Sequence, residues 1–232
     1  MSFIQYQQPV LFIDFHGVMI EVGFNAENFD PAVDQLSGFD HPFTQHKASN
    51  KRQAEFVAGR IAAQTALATY GVPPQYQLVG INSHNAPCWP KGIIGSISHH
   101  RNAAYAVVAA TRQYSEIGLD AEHYMSAEVA ASTQDLIINP EEKALLVQPF
   151  LLPEQVLTLI FSAKESLYKA LHPKVEQYFD FLDARILNIN VDQQTFSIQL
   201  KKSLNPRFFK HRKFTGKFLL SSHEVITLIA VR

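Results

Sequence analysis

Two stretches of this chain carry apolar patterns that, taken together, suggest where its chemistry lies. Residues 103–110 read Ala-Ala-Tyr-Ala-Val-Val-Ala-Ala, an uncharged run that predicts a strand. Arg112 to Ser115 can turn the chain, and 117–121 returns as a second short strand, so the two are expected to pair. Alternation along a strand puts Asp120 and Glu122 on one face. Further on, Ala163, Leu167 and Ala170 recur at helical spacing and define a buried side. Glu165 and Lys169, four apart, stack on another side. Three carboxylates, two from a strand and one from a helix, can therefore converge.

The remaining pattern supplies a mixed α and β chain. Residues 10–22 are strand-like, with Asp14 at a bend or an exposed edge. Residues 25–49 are rich in turn formers and read as loop, with Pro42 to His46 leading into Lys47. Asn50 is a candidate cap for a helix over 51–69, whose apolar side carries Phe56, Ala63 and Leu67. Gly71 and Pro73-Pro74 end it. A short strand is expected at 76–81 and a loop at 82–92. Helix follows over 126–148, broken at Asn139-Pro140, where Asn139 caps and Pro140 opens a new turn with Glu141 and Glu142. A helix spans 155–171, and strands are predicted at 181–188, 195–200, 216–221 and 225–230.

Composition narrows the class. Hydrophobic residues make up 47% of the 232, enough for a real core. The net charge of -1 favours neither nucleic acid nor an anionic membrane. The single Cys88 excludes an internal disulfide and a cysteine metal cluster. No apolar run approaches the roughly 20 residues of a spanning helix, and no signal peptide is visible at the N-terminus, so the expectation is a soluble cytoplasmic monomer. Charge is distributed unevenly. Residues 113–142 hold seven acids and no Lys or Arg, and 201–217 hold seven Lys or Arg and no acid. The basic block reads either as a solvated turn or as a docking surface for an acidic partner.

Several residues can carry chemistry. Asp120, Glu122 and Glu165 suit a hard divalent cation with oxygen ligands; the spacing alone favours a solvated strand end and a surface helix with an i,i+4 ion pair. Arg52 and Arg60 lie about two turns apart on one helix and either serve one anion-rich site or are simply solvated. Lys91 sits between Pro90 and Gly92, a cation on a restrained backbone. Trp89 either packs on a base or covers the core. His99 closes a glycine-led segment and can donate to a phosphate oxygen; His100 is expected at the surface. Asp14 resembles the nucleophile of haloacid-dehalogenase-type phosphatases, but His16 stands where that motif needs a second Asp.

The set Lys51-Arg52-Gln53-Ala54-Glu55-Phe56-Val57-Ala58-Gly59-Arg60, Trp89-Pro90-Lys91-Gly92, Gly95-Ser96-Ile97-Ser98-His99, Gly118-Leu119-Asp120-Ala121-Glu122 and 161–171 with Lys164-Glu165-Ser166 and Lys169 resembles the 4′-phosphopantetheinyl transferases, in their siderophore-associated group. Leu119 and Ala121 depart from the aliphatics common there. The resemblance implies an α+β fold, two pseudo-twofold-related α/β subdomains at 1–122 and 123–232 with the active site between them. It implies transfer of 4′-phosphopantetheine from coenzyme A, with Mg2+, to a serine of an apo peptidyl or aryl carrier domain, releasing 3′,5′-ADP. Asp120, Glu122 and Glu165 then hold the metal, Glu165 also serving as base. Lys169 offsets phosphate charge. Arg52, Arg60, Lys91, Ser98, His99 and Asp120 bind coenzyme A, and Lys164 takes pantetheine-side or surface anions. Two other readings stay open, a different magnesium-dependent phosphoryl-transfer enzyme and a noncatalytic carrier-binding module.

Overall fold

The computed structural model describes residues 2–32, 49–82 and 86–232; most of the expected loop at 25–49, including Pro42 to Lys47, lies outside them. The chain divides into two units, Met1–Tyr114 and Ser115–Arg232.

The first unit is a four-stranded antiparallel sheet covered by one helix. Its strands are β1 (Ile4–Val10), β2 (Val18–Phe24), β5 (Ile93–His100) and β6 (Ala103–Ala110), in the order β1-β2-β6-β5. A two-residue pair, β3 (Gly80–Ile81) and β4 (Pro87–Cys88), stands apart in the expected 76–92 region. The strand-like run at 10–22 is interrupted, because β1 ends at Val10 and β2 begins at Val18. Leu11 and Ile13 project into solvent there, and Asp14 takes a left-handed φ of 59° in the bend. Helix α1 (Asn50–Thr69) is capped by the Ser49 hydroxyl, which accepts from the Arg52 amide, so Asn50 is its first turn and not its cap. Ala54, Ala58, Ala62 and Ala66 are fully buried on α1 and let it lie close to the sheet.

The second unit is a five-stranded antiparallel sheet, β7 (Glu116–His123), β8 (Ala184–Asn190), β9 (Thr195–Leu200), β10 (Lys213–Leu220) and β11 (Glu224–Val231), ordered β7-β11-β10-β9-β8. Helix α2 (Ala127–Ile137) and a 3-10 turn at Pro140–Leu146 lead to α3 (Pro153–Val175), which packs across β7 and β11. Leu157, Ile160, Leu167 and Leu171 of α3 are fully buried, each contributing about 1.5–3 kcal/mol of apolar transfer.

Two expectations change here. The runs at 103–110 and 117–121 do not pair: β6 lies between β2 and β5, while β7 pairs with β11, Asp120 standing opposite Thr227. The reason is in β6 itself. All eight of its residues are buried, and its two edges are taken by β2 and β5, both of the first unit. The subdomain boundary accordingly falls at Tyr114/Ser115 and not after Glu122, with the whole acid-bearing strand belonging to the second unit.

Candidate active site

The acid-bearing face of β7 is made by its even positions. Gly118 is the one that lets α3 approach. A Cβ on Gly118 would stand 1.9 Å from the Ser166 carbonyl oxygen and 2.5 Å from the Ala170 amide nitrogen. The close contact sets Glu165 and Lys169 of α3 beside Asp120 and Glu122, which follow on the same face. The helix is held in register by hydroxyls. Ser162 Oγ and Ser166 Oγ lie 2.9 and 2.6 Å from Thr227 Oγ1, and Ser166 also donates to the Thr227 carbonyl at 3.0 Å. Since Thr227 pairs with Asp120 across the sheet, these bonds fix the helix against the acid itself.

Asp120 is 2% exposed, and Lys169 Nζ donates to its Oδ1 at 2.7 Å. The sequence spacing suggests Glu165 as the lysine's partner; the structure gives it Asp120 from the strand. Glu122 and Glu165 remain as surplus acids. Burial, then the charge of Asp120, pushes the Glu122 carboxyl up to about 8, with Lys169 opposing and Glu165 adding. Burial and Asp120 likewise push Glu165 up, again against Lys169. Three carboxyl groups and one ammonium thus form a cluster with excess negative charge. Among the described residues no three His, Cys, Asp or Glu side chains already surround a common metal position. The chemistry of the donor set nonetheless fits a hard divalent cation. All three are oxygen ligands, and burial together with the charge of Asp120 raises the proton affinity of Glu122 and Glu165, a cost that a cation would relieve.

Lys164, the neighbour of Glu165, does something different. It is 3% exposed and donates to Glu142 Oε2 and to the Ile137 carbonyl, both at 2.8 Å. Glu142 also accepts from the Asn139 amide, the Asn139 side chain and the Ile186 amide. The expected cap at Asn139 is present, but its acid is fully buried and clamps α3 to β8. Two of the three Lys164 N–H donors are committed in this way, so the lysine ties α3 to the Glu142 turn.

In the first unit Arg52 and His99 come together. Arg52 Nη1 donates to His99 Nε2 at 2.8 Å, and Glu55 Oε2 lies 3.4 Å from Arg52 Nη1 and 3.8 Å from His99 Nδ1. Arginine can only donate, so the ring in this contact is neutral at Nε2. Ile97 and His99 share the β5 face that meets α1, where Gly59 packs on Ile97. Ser98 falls on the alternate face of β5 and is 4% exposed. Arg60 is 7% exposed, with its guanidinium 4.8 Å over the Phe56 ring. Burial lowers its pKa to about 10. It lies about 12 Å along α1 from Arg52. Lys91 precedes the far end of β5, so the structure does not bring it to Arg52 and His99. Trp89 covers the core, its indole against Gly95. His100 is half-buried and stacks on Tyr105.

The basic block at 201–217 turns partly inward. Lys201 donates to Asn139, Lys202 pairs with Asp183, Arg207 pairs with Glu116, and Arg212 covers Phe208 and Phe214. Nothing in the spacing announces Thr227, Ser162 or the Glu142 clamp. Gly118 alone offers a visible signal, as a glycine inside a strand.

A family model described as the 4′-phosphopantetheinyl transferase N-terminal domain matches residues 41–109, and one for the 4′-phosphopantetheinyl transferase superfamily matches 116–227. Enterobactin synthase component D of Salmonella typhi is 34% identical over 212 residues, covering 90% of this chain and 84% of that protein. Its counterpart in Escherichia coli strain K12 is 40% identical over 169 residues, covering 71% and 77%. The 4′-phosphopantetheinyl transferase Npt of Nocardia iowensis is 33% identical over 204 residues, covering 82% and 88%.

Proposed function

This chain belongs to the 4′-phosphopantetheinyl transferase superfamily, and we propose that the acid cluster of β7 and α3 is where it moves 4′-phosphopantetheine from coenzyme A to a serine of an apo carrier protein. That transfer is the activity of the enzyme; the assignment of its residues is our reading. The observation that carries it is the grouping of Asp120, Glu122 and Glu165 with Lys169 on one strand face and one helix.

The reaction breaks the bond between the pantetheine phosphorus and the oxygen bridging to 3′,5′-ADP. It forms a bond from the same phosphorus to the serine Oγ, whose proton must leave. Glu165 is the proposed acceptor of that proton, directly or through water, because burial and Asp120 raise its proton affinity. Asp120, Glu122 and Glu165 would hold a divalent cation, magnesium first, which when bound neutralises pyrophosphate oxygens. Lys169 exchanges its contact with Asp120 for a phosphate oxygen as charge develops on the leaving group. Arg52 and His99 are the proposed pair for a coenzyme A phosphate, Arg52 supplying permanent charge and His99 a second donor once protonated.

The names of the enterobactin relatives support aryl or peptidyl carrier domains of siderophore assembly as first acceptors. A cytoplasmic setting belongs to the same reading; among the described residues no helix is long and apolar enough to cross a membrane. The test is intact-mass analysis of apo carriers incubated with the protein, coenzyme A and magnesium. A carrier should gain one pantetheine arm at one serine with an equal amount of 3′,5′-ADP, and chelation of magnesium should stop it. Conversion unaffected by chelation would overturn the metal assignment.

A further inference from the structure

At the C-terminal end of α1 the first unit contains a cavity of about 540 Å³. Its walls include Tyr70, Val72, Tyr76, Pro90, Lys91 and Ile93. The volume falls in the range of about 300–1,000 Å³ typical of small-molecule pockets. The walls are preformed. Gly71 and Gly92 hold left-handed turns at φ 89° and 84°. The Val72 amide donates to Leu67, the Tyr76 amide to Pro73 and the Ile93 amide to Pro90. Tyr70 Oη accepts from the Ala110 amide at 3.1 Å and donates to Gln113 at 3.2 Å, so its ring is pinned by its hydroxyl. Tyr76 is 58% exposed, a flat apolar ring at the mouth.

This cavity is not the phosphate cluster. Six residues of β5 separate Ile93 from His99, about 20 Å at roughly 3.3 Å each. Eighteen residues of α1 separate Tyr70 from Arg52, about 27 Å. The lining holds one charge, the Lys91 ammonium, and no carboxylate. Lys91 forms no ion pair among the described residues. A doubly charged phosphate would call for several donors or an arginine fork. One ammonium in a lining with two phenol rings and two prolines matches one carboxylate on a ring.

We infer that this cavity is a binding site for a small aromatic carboxylate, with Lys91 on the carboxylate and Tyr70 and Tyr76 against the ring. It is separate from the proposed coenzyme A cluster and does not depend on that assignment.

The probe is benzoate, with benzamide as its neutral match, titrated into the full chain and followed by amide NMR. Benzoate should bind saturably in the millimolar range, about fivefold tighter than benzamide, the gain expected of one exposed ion pair. The amides of Gly71, Gly92 and Ile93 should shift, and those of Arg52 and His99 should not. Lys91→Gln should remove the preference for benzoate, and Tyr76→Ala should weaken both probes. Saturating coenzyme A should leave the benzoate titration unchanged. The inference is overturned by an absence of saturable shifts at those glycines, by displacement of benzoate by coenzyme A, or by a Lys91→Gln protein with a native amide spectrum that keeps the preference.

Discussion

Two lysines five residues apart on α3 each meet a carboxylate at nearly the same distance, 2.8 Å for Lys164 with Glu142 and 2.7 Å for Lys169 with Asp120. Their surroundings differ. Glu142 takes four donors, Lys164 among them, and both side chains of the pair are buried, so the pair is satisfied and sealed from water. Asp120 shares its lysine with Glu122 and Glu165, and the Lys169 side chain is 28% exposed. A closed pair can only hold structure together. An open one, with surplus acid beside water, can receive a cation or hand its lysine to a phosphate. The bond length does not distinguish the two roles; the count of donors against acids does.

The largest expected effect breaks the closed pair. Glu142→Ala strands a buried ammonium, three hydrogen-bond donors and the end of β8, and should cost about 3–5 kcal/mol, read as a lower urea midpoint. Lys164→Met should cost less, because Glu142 keeps its three N–H partners and the methionine fills the space. Equal losses from the two would show that the charge pair, not donor saturation, carries the clamp.

The open pair should answer the opposite way. Asp120→Ala should lower transfer to carrier by about 10²–10³-fold while the urea midpoint stays close to wild type, since Lys169 can turn to water. A large stability loss with proportionate activity would place Asp120 beside Glu142 as a structural acid. Glu165→Gln, nearly isosteric, should slow transfer by about 10²-fold and leave coenzyme A binding intact; retention of full rate would remove it as the base.

Much of this was legible beforehand. Asp120, Glu122 and Glu165 stand out because a strand alternates and a helix repeats, and those periods survive whatever the tertiary partners are. The helices at 51–69 and 155–171 were readable for the same reason. What failed was pairing. The turn at 112–115 suggests a hairpin, but β2 and β5 already take both edges of β6, and that is a property of the sheet. Lys164 and Lys169 look alike in sequence because the residue that separates them, Glu142, is 22 positions from Lys164. Pro90 and Gly92 restrain Lys91 locally, but only the length of β5 shows how far it stands from His99. Alternation along β5 puts Ser98 and His99 on different faces, a signal present in the sequence.

The smallest effect sharpens the comparison by pH. Glu122 is pushed up to about 8 from an ordinary value near 4.5. The folded, metal-free chain therefore holds a proton that the unfolded chain has released. The stability linked to this proton is complete below about pH 4.5 and is lost as pH rises through about 8, with a slope of at most about 1.4 kcal/mol per pH unit. Magnesium competes with the same proton, so its affinity should rise with pH toward about 8 and flatten above it, and each ion bound near pH 7 should release a proton. Calorimetry in two buffers of different ionisation enthalpy reads that release. Melting of the chelator-treated protein between pH 6.5 and 8.5 reads the stability change, which should shrink in Glu122→Gln. The closed pair supplies the control: Lys164→Met, which touches none of the three acids, should leave the proton release per magnesium unchanged. Equal proton release in the wild type and Glu122→Gln would show that another group titrates, and the surplus acid of the open pair would have to be sought at Glu165.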